Sequence, residues 1–170
     1  MRKLIGIIVF TALLAACSST DCPLNNAVYA TYNLYGSDGK RYTLKDTLTI
    51  STARHTEGDT ILLNRKTGAT TFSLPVSYAD EADRLILEMR DSDNNVTTDT
   101  IVMSKTNRPH FESTDCSPSF FHTILGVKCT RNRIDSITIN NREIDNDATK
   151  EHIRIYFRSG NQPATAAHNG

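Results

Sequence analysis

Apolar and polar residues alternate along most of this 170-residue chain. The period is two, that of a strand with one buried face. "VYATYNLY" (28–35) sets Val28, Ala30, Tyr32 and Leu34 on one face and Tyr29, Thr31, Asn33 and Tyr35 on the other. "DTLTIST" (46–52), "TILLN" (60–64) and "TTFSLP" (70–75) continue the pattern, separated by turns such as "GSDGK" and "KTGA". "DRLILEMRD" (83–91) and "VTTDTIVMS" (96–104) flank "SDNN", a hairpin signal. "KTNRPHFESTDCSP" (105–118) reads as an irregular link. "SFFHTILGVKC" (119–129), "RIDSITIN" (133–140) and "EHIRIYFR" (151–158) complete the series, with "NREIDNDATK" as the loop before the last strand. The one helix candidate is short, "VSYADEADRL" (76–85), a stretch that also suits a crossover turn. The fold expected is all-β, an immunoglobulin-like or transthyretin-like β-sandwich of about 7–9 strands. Its core is drawn from Val28, Leu48, Ile50, Leu62, Phe72, Leu85, Leu87, Ile101, Ile124, Ile137, Ile139, Ile153, Ile155 and Phe157.

The two ends break the pattern. Met1, Arg2 and Lys3 precede the uncharged run "LIGIIVFTALLAA" (4–16). That run is shorter than the ~20 apolar residues of a spanning helix and has the layout of a secretory signal peptide. Leu14-Ala15-Ala16-Cys17 resembles the bacterial lipobox, which implies cleavage before Cys17 and lipidation of its thiol. More than one acyl chain is needed for stable anchoring, which the lipobox route supplies. Residues 1–16 are then a lipoprotein signal peptide, 17–21 a lipidated tether, 22–158 the folded domain and 159–170 a polar, disordered tail. Ser18 is not the aspartate that retains some lipoproteins at the inner membrane, which favours the outer membrane. Asp21 alone is a poor match to the acidic run that sends some lipoproteins to the surface. The membrane face stays open.

Composition narrows the function classes. Nineteen basic residues balance nineteen acidic ones, so no net field favours nucleic acid. Thr, Ile and Val suit strands, and there is no Trp. An exported chain meets an oxidising compartment, where disulfides persist. With Cys17 lipidated, Cys22, Cys116 and Cys129 remain, and three pairings are open. "TDCPL" and "TDCSPS" share a local context, Asp before and Pro after. Cys129 ends a strand, where a lone cysteine behaves as a small hydrophobe. Cys22–Cys116 is the pairing favoured, and Cys116–Cys129 is the alternative.

The search for chemistry returns little. The five histidines show no HExxH and no close pair. His110, Cys116 and His122 are evenly spaced, but a bridged Cys116 is no ligand. Asp91, Asp93, Asn95 and Asp99 fall at calcium-loop positions, yet Val96 and Val102 stand where glycine and glutamate belong. There is no GxSxG elbow and no glycine-rich phosphate loop. No catalytic residue, metal or cofactor is expected. One tripeptide recurs: Asp46-Thr47-Leu48, Asp59-Thr60-Ile61, Asp99-Thr100-Ile101 and Asp135-Ser136-Ile137. It resembles the O-glycosylation motif of exported Bacteroidota proteins, which makes Thr47, Thr60, Thr100 and Ser136 candidate acceptors. Many strands also begin with a turn aspartate, a β-branched residue and a core residue.

"DCPLNN" (21–26), "SKTNRPHFESTDCSPSFFHT" (104–123), "RNRIDSITINN" (131–141) and "KEHIRIYF" (150–157) together resemble a Bacteroidota family of small lipoproteins known only as a domain of unknown function. The resemblance implies an envelope protein, carries over Cys22 and Cys116 as matching positions, and brings no activity. The function expected is a membrane-anchored envelope lipoprotein acting as a structural or protein-interaction module, not an enzyme. Its partners would be the membrane, through the lipid, and an envelope protein of unknown identity. The alternative is a glycan-binding lipoprotein of an uptake system, with Tyr29 and Tyr35 on one strand face as a platform. Oligomeric state is left open.

Overall fold

Ala30, Tyr32 and Leu34 point inward from β1 (Tyr29–Gly36), as alternation requires. The computed structural model describes Cys22 and residues 26–54 and 58–158. The signal segment, Cys17, the tether and the tail lie outside the described residues. Nine further strands follow: β2 (Thr47–Arg54), β3 (Gly58–Lys66), β4 (Thr71–Pro75), β5 (Ala82–Arg90), β6 (Val96–His110), β7 (Ser119–Cys129), β8 (Ile134–Ile139), β9 (Glu143–Ile144) and β10 (Ile153–Phe157). They form a four-stranded sheet, β4-β1-β10-β8, and a six-stranded sheet, β3-β2-β5-β6-β7-β9. The all-β sandwich class is as expected. The strand beyond those expected, β9, is a two-residue piece paired with β7 inside the predicted loop.

The strands pair antiparallel, with one exception. β1 and β10 run parallel, Tyr32 opposite Ile153 and Gly36 opposite Phe157. The first and last strands therefore close the centre of one sheet. Ala30, Tyr32, Leu34, Phe72, Leu74, Ile153, Ile155 and Phe157 bury one face of that sheet, and Tyr32 stacks on Phe72 at 5.0 Å. Leu48, Ile50, Leu85, Leu87, Met89, Ile101 and Met103 line the other. Each such side chain contributes about 1.5–3 kcal/mol when fully buried. Of the predicted core, only Leu62, Ile137 and Ile139 are partly buried, packed against the rest.

Two expectations are corrected. Residues 76–85 form no helix: 76–81 are irregular and 82–85 begin β5. Residues 105–110 are not a link but the continuation of β6, paired with β7 as far as His110 opposite Ser119. β5 has already ended, at Ala82 opposite Ser104. That leaves β6 an edge on one side, where the missing N–H of Pro109 is tolerated. The register shifts between Ser104 and Lys105, leaving Leu125 as an extra, exposed residue on β7. Such a bulge resets which residues oppose one another. Beyond it, Lys105 faces Ile124, Asn107 faces His122 and Pro109 faces Phe120.

A cleft at the disulfide end

Cys22 is bonded to Cys116, with Cα atoms 5.4 Å apart. The Asn26 amide donates to Ser117 O at 3.0 Å, so the chain entering β1 is stitched twice to the loop before β7. Among the described residues Cys129 is the free cysteine, half-buried, and burial pushes its thiol pKa up. Beside the disulfide lies a half-open cleft of about 1200 Å³. Its walls are residues 26–28, the β4–β5 connection from Pro75 to Leu85, Thr52 and Leu62 of the β2–β3 hairpin, and Ser117, Pro118, Phe120 and His122.

The wall made by the β4–β5 connection is irregular, yet it is held firmly. Lys105 points inward as Ile101 and Met103 do, and its side chain is fully buried. Its ammonium donates to Ser77 O and Asp80 O at 2.5 Å each and to Asn107 Oδ1 at 3.1 Å. Asp83 Oδ1 lies 3.7 Å away and supplies the counter-charge. The Asn107 amide donates to Tyr78 O and Asp80 O, both at 3.0 Å. The Lys105 N–H donates to Glu81 O at 2.8 Å. An irregular segment must satisfy its carbonyls somewhere, and here two β6 side chains do so. Burial is the first cause of both shifts in the ion pair: the Asp83 pKa is raised and the Lys105 pKa is lowered. Attraction between the two opposes each shift. All three ammonium hydrogens are committed, so Lys105 is a tie, not a nucleophile.

His122 completes the group. Its Nδ1 lies 2.8 Å from Asn107 Oδ1. Because the Asn107 amide nitrogen already donates, Oδ1 must accept, and His122 carries its proton on Nδ1. Nε2 then bears a lone pair that has no partner among the described residues. Burial, with the nearby Lys105 charge, lowers the His122 pKa to about 4. At the mouth, Tyr78 stacks on Phe120 at 4.8 Å and stays 64% exposed. The cleft thus offers an apolar and aromatic lining with fixed backbone edges, suited to binding. Among the described residues, no three His, Cys, Asp or Glu side chains are placed to hold a metal.

The other sequence candidates are scattered. Asp91 caps the β5–β6 turn, accepting from the N–H groups of Asp93 and Asn95. Asp99 is buried elsewhere and accepts from Thr130 Oγ1 and from the N–H groups of Asn132, Arg133 and Ile134. The apparent calcium loop is therefore a turn cap plus a buried acceptor. Asp46, also buried, pairs with Arg133 at 2.8 Å. Two of the four recurring tripeptides thus begin with an aspartate that has a structural role. Thr47, Thr60, Thr100 and Ser136 are half-buried on four different strands. Tyr35 is not a bare platform: Arg41 and Arg154 lie over its ring at 5.0 and 5.4 Å, and its hydroxyl donates to Glu151. The Lys105–Asn107–His122 group was missed because 105–118 read as a link. The signal for it was the unbroken inward alternation Ile101, Met103, Lys105, Asn107.

No curated protein and no solved structure matches the chain. A family model described only as a family of unknown function does, over residues 47–157, from the first residue of β2 to the last of β10. The match takes in Lys105, Asn107, His122 and the β4–β5 connection they hold, and so most of the cleft wall. The chain belongs to the family of unknown function DUF6452.

Proposed function

We propose that this is an exported Bacteroidota lipoprotein, anchored to the cell envelope through Cys17, whose sandwich is a protein-interaction module and whose cleft is the docking site. The cleft carries the reading. It measures about 1200 Å³, and ties from the buried Lys105 and the half-buried Asn107 hold one wall in place. A wall held this way is preorganised, so a partner segment meets little ordering cost there. The signal segment, lipobox and short tether support the anchor and the outer membrane as its site. The test is a photo-crosslinking residue at Ala79, on the cleft wall, compared with one at Asp93 on the distant β5–β6 turn. In intact envelopes, Ala79 should capture a discrete envelope protein that Asp93 does not. Capture of the same set from both positions, or of nothing, defeats the reading.

A glycan ligand is the second reading, and the stacked Tyr78–Phe120 pair at the cleft mouth favours it, since sugar faces pack on aromatic rings. Binding to a glycan panel that is lost in Tyr78→Ala would establish it, and a flat panel would remove it. Glycosylation at Thr47, Thr60, Thr100 or Ser136 is part of the same proposal. The mass of the exported chain, less its lipid, should then exceed the polypeptide mass.

A further inference from the structure

The large apolar side chains left exposed are unevenly placed. Tyr29, Tyr78 and Phe111 are 39%, 64% and 61% exposed. Each sits on a segment adjoining the Cys22–Cys116 bond. Tyr29 begins β1 just after Asn26, which is tied to Ser117. Tyr78 lies in the β4–β5 connection on the cleft wall. Phe111 follows β6 at the start of the loop that holds Cys116. The opposite end of the sandwich, at the Asp91–Asn95 turn and the Asp38–Lys40 turn, is polar, with Val96 as its exposed apolar residue. Ile61 and Leu125 are exposed on strands β3 and β7.

The proposed anchor stands at this same end. Four residues, Ser18 to Asp21, separate Cys17 from Cys22, and the stretch from one cysteine to the other spans at most about 18 Å when extended. A lipid on Cys17 therefore holds the disulfide end close to the headgroups. Tyrosine and phenylalanine are the side chains suited to that boundary, with an apolar ring toward the acyl region and, in tyrosine, a polar tip toward water. From these two observations we infer that the disulfide end is a lipid-facing surface, with Tyr29, Tyr78 and Phe111 seated in the interface of the bilayer that holds the anchor. The inference rests on the lipid-anchored reading and deepens it. The cleft then opens beside the membrane, and the partner it receives is one that presents its segment there. Asp80, Glu81, Glu112 and Asp115 outnumber Arg84 and Arg108 at this end, so the contact is carried by the apolar rings and draws nothing from anionic lipid.

The chain has no Trp, so a single introduced Trp reports its own surroundings. Full-length lipidated chains carrying Phe111→Trp, Tyr78→Trp or Val96→Trp are placed in phosphatidylcholine vesicles with brominated acyl chains. Phe111→Trp and Tyr78→Trp should be blue-shifted and quenched about threefold more than Val96→Trp, as interfacial aromatics would be. Raising the salt should leave the contrast unchanged. Equal quenching at the two ends of an anchored chain overturns this inference alone. Flotation of the native chain against Cys17→Ala scores the anchor separately: a native chain that does not float, or a Cys17→Ala chain that floats as well as the native one, overturns the anchor and the inference with it.

Discussion

Asp99 shows how one side chain can organise a loop. Its two carboxylate oxygens accept four hydrogen bonds from residues 130–134, between 2.6 and 3.0 Å. Replacing it with Asn turns one oxygen into a donor facing other donors. Asp99→Asn should therefore cost about 3 kcal/mol, read as a lower urea midpoint with an unchanged slope. His122 makes a second residue-scale prediction. Its pKa is near 4 in the folded protein and about 6.5 in the unfolded chain. Between those values the unfolded state takes up a proton that the folded state refuses, so stability rises with pH there. The His122 contribution is complete above about pH 6.5 and is lost as pH falls to about 4, on the order of a few kcal/mol. Urea titrations from pH 7 to pH 4 should show that slope, and His122→Gln should flatten it. Equal slopes in the two proteins would contradict the buried neutral imidazole.

At the scale of elements, the β4–β5 connection and the far half of β6 are interdependent. Segment 76–81 has the turn composition of a loop, and the ties from Lys105 and Asn107 give it a single shape. Lys105→Met should remove the ammonium's ties to Ser77 and Asp80 and leave Asp83 without its cation, costing about 2–4 kcal/mol. Amide exchange at residues 77–83 should rise at least about tenfold, while that of β1 and β10 rises only as global stability falls. Uniform acceleration would mean that Lys105 supports the core, not the cleft wall. The predicted and observed elements part at this same place. Alternation located the strands, because one face of each is buried. It missed the far half of β6 because Lys105 and Asn107 are polar at inward positions, and residues 105–118 read as an irregular link. Their burial is tolerated because the Lys105 ammonium finds partners, and all of these but Asn107 come from residues distant in the chain.

For the whole molecule, the disulfide joins residues 94 positions apart and fixes the chain's entry to the loop between β6 and β7. Cys22→Ser with Cys116→Ser should lower stability by about 2–4 kcal/mol, read by denaturation under non-reducing conditions. The core, closed by the parallel β1–β10 pair, should persist, since β1 makes its own ladder with β4 and β10. Loss of strand signal at ambient temperature in that variant would mean that the bridge is needed to form the sandwich at all.

The sequence alone determined the all-β class and most of the buried face of each strand, and the lipid anchor proposed at Cys17 rests on sequence pattern too. All are local patterns, in which a residue's chemistry and that of its near neighbours carry the information. It favoured Cys22–Cys116 on local context without excluding Cys116–Cys129. The bridge that forms was decided only when folding brought residue 26 against residue 117. The parallel pairing of β1 with β10, the bulge at Leu125, and the cleft with its Lys105–Asn107–His122 support were also left to tertiary structure. Each depends on partners tens of residues apart, and a period of two along one strand says nothing about which strand will lie beside it.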